Sequence, residues 1–194
     1  NRTCAGKYEN YQTPEQSIPE HQLQNPWETC MTLTNDWGWV KRPVFKSPAR
    51  IIAVLAEFVA KGGSLLLGVG PTPEGLIEDE AVVRLKEIGK WLDKNGEAIY
   101  STVATPIYTN AEQNIWFSSS KDRKTIYAVI PQKDDAENKP LTISWQGNTP
   151  RKGSKIINLA TKKAVKYTTK DNTTTITLPK GLAGTNGVAL KIEL

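Results

Sequence analysis

Two kinds of hydrophobic pattern divide the chain. Through about the first hundred residues, apolar positions recur at helical spacing or form short unbroken runs, whereas after Ile99 they alternate with polar positions. Helical spacing combined with unbroken runs is typical of α/β folds with parallel strands, and alternation is typical of half-buried antiparallel strands. The pattern therefore predicts an α/β region followed by an all-β region.

In the first region the pattern predicts a helix, a strand, a loop and a second helix. The first helix begins at Ser47 and Pro48, a capping hydroxyl followed by a proline in the first turn, and ends before Gly62. The unbroken apolar run 64–69 predicts a strand buried on both faces. A second helix is expected over about 79–95. Its apolar face is predicted to contain Val82, Leu85, Ile88 and Leu92.

The first forty-five residues are rich in loops, with one short strand predicted over 27–33. Two or three such α/β units cannot cover a parallel sheet on their own, because its apolar edges would stay exposed. The chain also opens without an initiator methionine or a signal peptide. We therefore expect these residues to be the end of a larger α/β domain that begins upstream.

The second region contains seven short alternating segments separated by turn residues. Segments of this number and spacing predict an antiparallel β-sandwich, with the boundary between Tyr100 and Pro106. The predicted strands cover 115–119, 125–130, 141–145, 155–159, 164–168, 173–178 and 188–194.

Composition and charge exclude several classes of protein. Hydrophobic residues make up 38% of the chain and charged residues 23%, and no apolar run is long enough to span a membrane. Residues 1–105 hold 11 Lys and Arg against 13 Asp and Glu, whereas residues 106–194 hold 14 against 7. In the second region lysines alternate with Thr, Ile and Val, as on the solvent faces and edges of strands. We expect neither a nucleic-acid partner nor a membrane partner.

The reactive side chains point to carboxylate chemistry. His21 is the only histidine and Cys4 and Cys30 are the only cysteines, so a Ser-His-Asp triad and a metal site are not expected. Whether the two cysteines pair is left open by the sequence. Carboxylates in loops rich in tryptophan suit sugar chemistry, because an aromatic ring packs on a sugar and a carboxylic acid can protonate a glycosidic oxygen. The candidates are Glu9, Glu15, Glu20, Glu28, Asp36 and Glu74.

Four motifs, in order and at characteristic spacing, resemble the C-terminal part of an α-L-fucosidase of glycoside hydrolase family 29. They are Trp-Glu-Thr-Cys at 27–30, Asp-Trp-Gly-Trp at 36–39, Lys-Gly-Gly-Ser-Leu-Leu-Leu-Gly-Val-Gly-Pro at 61–71, and the run 89–100. The resemblance covers residues 1 to about 105. It implies the last units of a (β/α)₈-like barrel in residues 1–103 and a C-terminal antiparallel β-sandwich in residues 104–194.

The resemblance also implies a retaining mechanism with two carboxylates and neither metal nor cofactor. The acid/base of such enzymes lies in a Thr-x-Glu loop before the Trp-Glu motif, which makes Glu15 the candidate here. The nucleophile is an aspartate on an earlier barrel strand. Since no aspartate precedes Asp36 in this sequence, we expect it upstream, and we expect the 194-residue chain alone to be inactive.

Two further residues are assigned a role by the same resemblance. Arg2, in an Asn-Arg context, is expected to reach the sugar or the nucleophile, and Trp37 is expected to pack on the C6 methyl group of fucose. The substrate is then a fucosylated glycan, and the expected location is secreted, periplasmic or lysosomal. The sequence departs from the family at Ser64 and Gly68, where asparagines are usual. These departures bear on substrate range.

A second hypothesis gives the function to the all-β region, as a carbohydrate-binding module without catalysis. Its only tryptophans are Trp116 and Trp145. Both fall in predicted strands, where we expect them to contribute to the core.

Overall fold

The computed structural model describes residues 9–132, 140–180 and 186–194. Two helices and eleven strands follow one another within these ranges, with a short 3₁₀ helix at Gly96–Ala98. The helices and strands of the first half are β1 (Trp27–Thr32), α1 (Pro48–Ala60), β2 (Gly63–Gly68) and α2 (Asp79–Asn95). The strands of the second half are β3 (Thr102–Asn110), β4 (Ile115–Ser120), β5 (Thr125–Ile130), β6 (Leu141–Gln146), β7 (Ile156–Asn158), β8 (Ala164–Val165), β9 (Tyr167–Lys170), β10 (Thr173–Leu178) and β11 (Val188–Glu193).

Strands β1 and β2 form a parallel pair, as the unbroken apolar run predicts. Helix α1 connects them and covers one face, where the rings of Trp27 and Phe58 lie 5.1 Å apart and Leu65 packs beside them. The indole N–H of Trp27 donates to the carbonyl of Lys61 at 3.3 Å. A helix that connects two parallel strands and packs on them is the βαβ arrangement.

The prediction that β2 is buried on both faces is wrong for the part of the chain that the structure describes. Successive strand residues point to opposite faces. Leu65 and Leu67 pack toward the helices, whereas Ser64 is exposed and the side chain of Leu66 is 51% exposed. Helix α1 covers only one face of this two-stranded sheet, and β2 has no described strand on its second edge.

Both helices begin and end where the sequence predicts. The hydroxyl of Ser47 accepts a hydrogen bond from the amide of Arg50 at 3.0 Å, and α1 ends before Gly62, whose φ of +78° suits glycine. The predicted apolar face of α2 is only partly correct. Ile88 is buried, but Leu85 is exposed, because the helix is rotated so that it buries a different set of side chains. The buried residues of α2 are Ala81, Ile88, Trp91 and Asn95.

The second half contains two antiparallel sheets that share one core. A three-stranded sheet has the order β6-β10-β9, and a six-stranded sheet has the order β3-β4-β5-β11-β7-β8. Phe117 of β4 and Trp145 of β6 meet across the gap between the sheets, with ring centroids 6.0 Å apart. Trp145 is 1% exposed, so the prediction of a core role for this residue is confirmed.

The strand predictions for this half are confirmed with two corrections. Strand β3 was not predicted, because Pro106 and a register shift between Ala104 and Thr109 interrupt its alternation. The predicted strand 164–168 is in fact two strands in different sheets: β8 pairs with β7, and β9 pairs with β10. The chain thus changes sheet at Lys166, which alternation alone cannot reveal.

The outer face of the six-stranded sheet packs against the helices of the first half. Trp116, Tyr127 and Val129 belong to the same apolar cluster as Ile52 of α1 and Trp91 of α2. The indole N–H of Trp91 also donates to the carbonyl of Gly187 at 3.0 Å. The two halves therefore share a continuous core.

A polar cluster holds the 3₁₀ helix to the same sheet. The hydroxyl of Tyr127 and the ammonium of Lys191 both donate to Glu97 Oε1, at 3.1 and 2.7 Å. The hydrogen bond from Lys191 is the main cause that lowers the pKa of Glu97, and Tyr127 adds to it. Burial, together with the Glu97 carboxylate, raises the pKa of Tyr127 to about 12.

Replacing Gly63 with alanine is expected to destabilise the protein strongly. A Cβ atom there would lie 2.2 Å from the ring of Trp27, which is buried and hydrogen-bonded and has no room to move. Overpacking of this kind costs about 1–3 kcal/mol or more. The matched control is Gly89→Ala in α2, where a Cβ meets nothing within 4 Å. The control should stabilise the protein by about 0.5–1 kcal/mol. If the urea unfolding midpoints of the two variants shifted equally, the packing of Trp27 against Gly63 would be contradicted.

Tyr127→Phe is expected to reduce the loss of stability at alkaline pH. The folded protein holds the proton of Tyr127 up to a pKa of about 12, whereas an unfolded tyrosine releases it near pH 10. The raised pKa stabilises the fold below about pH 10, and this contribution is lost as pH rises through 10 to 12. Between pH 8 and 11.5 the melting temperature should fall less steeply for Tyr127→Phe than for the wild-type protein. If the two fall in parallel, ionisation of Tyr127 is not a cause of the loss.

Candidate active site

The loops that follow β1 and β2 gather at the carboxyl ends of these two parallel strands. The loop after β1 folds back on itself, with an antiparallel bridge between Thr34 and Phe45 and a hydrogen bond from the amide of Lys46 to the carbonyl of Leu33 at 2.8 Å. Ligands of parallel α/β folds bind at the carboxyl ends of the strands. This end of the β1–β2 pair is therefore the candidate site.

Glu15 lies beside the carboxyl-terminal part of β1. It forms an isolated parallel bridge with Cys30, and the amide of the next residue, Gln16, donates to the Cys30 carbonyl at 2.9 Å. Cys30 is two residues before the end of β1. The half-buried Glu15 is thus held close to the strand end by backbone hydrogen bonds.

Trp37 lies in the loop that leaves the same end of β1. Its side chain is 54% exposed, whereas the residues that follow it are packed against the loop after β2. A Cβ atom at Gly70 would lie 2.7 Å from the amide nitrogen of Trp39, so only glycine permits this approach. The indole N–H of Trp39 donates to Glu78 Oε1 at 3.0 Å. The loop is held in place while the ring of Trp37 remains accessible.

The structure thus places Glu15 and Trp37 at the same end of β1, on different loops. Arg2 and Cys4 lie outside the described residues, and Cys30 forms no disulfide within the described part of the chain. Two other candidate carboxylates lie elsewhere: Glu20 is exposed beside His21, and Glu9 accepts a hydrogen bond from Gln12.

The sequence did not point to three polar residues of the site, which are Gln16, Thr32 and Lys46. Gln16 Nε2 donates to Thr32 Oγ1 at 3.0 Å, and Lys46 Nζ donates to the carbonyl of Thr32 at 2.7 Å and to that of Thr34. Burial and then the charge of Arg50 lower the pKa of Lys46, and Asp36 opposes them. The three residues are far apart in the sequence, so no local pattern could have linked them.

The α-L-fucosidase family model matches residues 1–97, which is the half of the chain that contains this site. The chain belongs to the α-L-fucosidase family. Rat (Rattus norvegicus) plasma α-L-fucosidase is 33% identical to it over 138 residues, which cover 66% of this chain and 27% of the relative. The chain therefore spans about a quarter of the length of the curated fucosidases that it matches.

Solved fucosidase structures match nearly the whole chain. α-L-fucosidase isoenzyme 1 from Paenibacillus thiaminolyticus superimposes with a TM-score of 0.79 at 27% identity, over 95% of this chain and 45% of that protein. A Thermotoga maritima α-fucosidase solved in complex with fucose gives a TM-score of 0.73 at 23% identity, over 97% of this chain and 43% of that protein. The fucosidase fold extends through both halves of this chain.

The two positions at which the family resemblance leads us to expect asparagine, Ser64 and Gly68, lie in β2. Ser64 is on the exposed face, near the start of the strand, and Gly68 ends the strand opposite Thr32. A Cβ atom at Gly68 would lie 3.5 Å from the nearest atom, the carbonyl oxygen of Met31. A Cβ atom at this position therefore makes only ordinary van der Waals contacts.

The tryptophans of the second half are poorly placed to bind a sugar. Trp145 is buried, and Trp116 packs against the apolar cluster beneath α1, with the ammonium of Lys61 5.4 Å from its ring centroid. Trp145 therefore has no face for a pyranose, and the half-buried ring of Trp116 is partly occupied by these contacts. These contacts disfavour the hypothesis of a separate carbohydrate-binding module.

Residues 9–132, 140–180 and 186–194 contain neither a metal-binding cluster nor a membrane-spanning helix. No group of three His, Cys, Asp or Glu side chains comes together there as a metal site. Neither described helix is both long and apolar enough to cross a membrane.

Proposed function

We propose that this chain is the C-terminal portion of a retaining α-L-fucosidase that releases fucose from fucosylated glycans. Residues 1–103 would complete a (β/α)₈-like barrel, and residues 104–194 would form a β-sandwich. Two observations support the barrel: β2 has no described neighbour on its second edge, and the face of β2 that contains Leu66 is exposed. The boundary at 103 and 104 falls within β3.

In this proposal Glu15 is the general acid and then the general base. An aspartate from a part of the enzyme outside these 194 residues attacks the anomeric carbon, and the glycosidic oxygen leaves with the proton of Glu15. The Glu15 carboxylate then takes a proton from water, whose oxygen attacks the same carbon and releases the aspartate. A retaining geometry requires the two carboxyl groups to lie about 5–5.5 Å apart.

The observation that carries this assignment is the parallel bridge between Glu15 and Cys30. It aligns the Glu15 segment with the carboxyl-terminal part of β1, which supports a role for Glu15 at the strand end where barrel enzymes bind their substrates. The family membership of residues 1–97 supplies the reaction class. The 194-residue chain would contain the acid/base without its nucleophile and would be inactive alone.

Trp37 is proposed to contact the C6 methyl group of fucose. Its ring is exposed beside the strand end, and the packing of Gly70 against Trp39 holds its loop. A pyranose presents an apolar C–H face, and an indole ring is the aromatic surface that suits it. Arg2 is proposed to reach the sugar or the nucleophile. Plasma and tissue relatives support a secreted or lysosomal location, and a periplasmic one rests on the family resemblance.

Glu15→Ala in the full-length enzyme is expected to lower kcat/KM about 10²–10⁴-fold for fucosides with poor leaving groups. For activated aryl fucosides kcat/KM should fall far less, because their phenolates leave without a proton. Azide should raise kcat on the activated substrate, since this anion attacks the fucosyl-enzyme without needing a base. Glu20→Ala, in the same exposed loop region, is the control. It should leave kcat/KM unchanged for both kinds of substrate. Equal losses on both substrates would reject the role of Glu15.

Trp37→Ala is expected to reduce the preference for α-L-fucosides over the matching α-L-galactosides. A contact with one methyl group contributes about 1–3 kcal/mol, so the ratio of the two kcat/KM values should fall about 10-fold or more. Tyr100→Ala is the matched control, because this exposed aromatic residue shares a cleft with Gly63 at the opposite, amino-terminal end of β2. An unchanged preference in Trp37→Ala would show that the methyl group is recognised elsewhere.

A further inference from the structure

The hydroxyl of Thr32 joins the two loops of the candidate site. It donates to the carbonyl of Thr34 at 2.6 Å, at the start of the loop that carries Trp37, and accepts from Gln16 Nε2 at 3.0 Å, next to Glu15. Thr32 is 2% exposed, so its hydroxyl oxygen is shielded from water. One buried oxygen thus connects the segment of Glu15 to the loop of Trp37.

Lys46 completes the hydrogen bonding of this oxygen. Its ammonium lies 3.4 Å from Thr32 Oγ1 and also donates to the carbonyls of Thr32 and Thr34. The hydroxyl therefore uses its one proton and both lone pairs, which is the full capacity of a threonine side chain. A buried hydroxyl whose hydrogen-bonding capacity is filled has a defined geometry, because any displacement leaves a buried group unsatisfied.

We propose that Thr32 is a positioning residue that sets the placement of Glu15 through Gln16 and the placement of the Trp37 loop through Thr34. This inference rests on the proposed function, since it assigns Thr32 a role in the same reaction. Thr32 itself does not touch the sugar. It acts through its neighbours.

The backbone of the Glu15 segment explains why such an anchor is needed. Gln16 has a φ of +52°, in the left-handed region that non-glycine residues rarely occupy. The hydrogen bonds from its amide to Cys30 and from its side chain to Thr32 hold this conformation. Without the side-chain hydrogen bond the segment can relax, and a shift of about 1 Å in a reacting group can cost about 100-fold in rate.

The test uses Thr32→Val and Gln16→Met in the full-length enzyme. Both variants remove the Gln16–Thr32 hydrogen bond with little change in shape. We expect kcat/KM for a fucoside with a poor leaving group to fall about 10- to 100-fold, and that for an activated aryl fucoside to fall less than about 3-fold. Thr32→Ser keeps the hydroxyl and should restore most of the lost rate.

The two variants should differ in a second measurement. Only Thr32→Val also removes the hydrogen bond to Thr34, so only this variant should reduce the preference for fucosides over galactosides. For a fucoside with a poor leaving group, kcat/KM of the double variant Thr32→Val/Gln16→Met should be no lower than that of Thr32→Val alone. The two substitutions remove the same interaction. If Thr32→Val does not fold, Gln16→Met still tests the proposal, since Gln16 is exposed.

Ser118→Ala is the matched control. Ser118 is a buried residue of β4, away from the candidate site, and its hydroxyl donates to the carbonyl of Ala98 at 3.1 Å. We expect a loss of thermal stability without dependence on the leaving group. A leaving-group dependence equal to that of Thr32→Val, or equal losses on both substrates in Thr32→Val, would overturn the proposal. The proposed function fails separately, if Glu15→Ala itself shows no such dependence.

Discussion

The parallel hydrogen bonding along β1 is the constraint on which the candidate site depends. Gln12 exchanges backbone hydrogen bonds with Pro26 and Glu28, and the amide of Gln16 donates to Cys30. These bonds align the segment 12–16 with the strand in a single register. Because side chains alternate between the two faces, a shift by one residue would turn Glu15 to the opposite side. The location of the carboxylate is therefore a property of the backbone pairing.

Burial of Trp27 makes that pairing stable. Its ring fills the space between Phe58 and Gly63, and no residue larger than glycine fits at position 63. Its N–H donates to the carbonyl of Lys61. The ammonium of Lys61 in turn pairs with Glu57 at 2.6 Å and donates to the carbonyl of Pro19. The loop that precedes β1 is thus attached to the end of α1. Packing on the helix side of the sheet supports the chemistry expected at the strand ends.

Local features of the fold could be predicted from the sequence, and long-range contacts could not. The Ser47 cap and Gly62 bound α1, because caps depend on residues next to one another. The rotation of α2, the exposure of Leu66 and the change of sheet at Lys166 depend on distant neighbours. For the site, the family resemblance named Glu15 and Trp37, whose roles stay predictions. The contact between Thr32 and Lys46 could not be predicted from the sequence, because the two residues come together only in the folded chain.

The six-stranded sheet is covered on both faces, by the second sheet on one side and by the helices on the other. Strand β5 shows this clearly, since Ile126 and Ala128 face one core and Tyr127 and Val129 face the other. Two bodies that share a sheet in this way have no hinge between them, unlike domains joined by a small polar interface. Within the described residues, the two halves are therefore expected to move as one rigid unit.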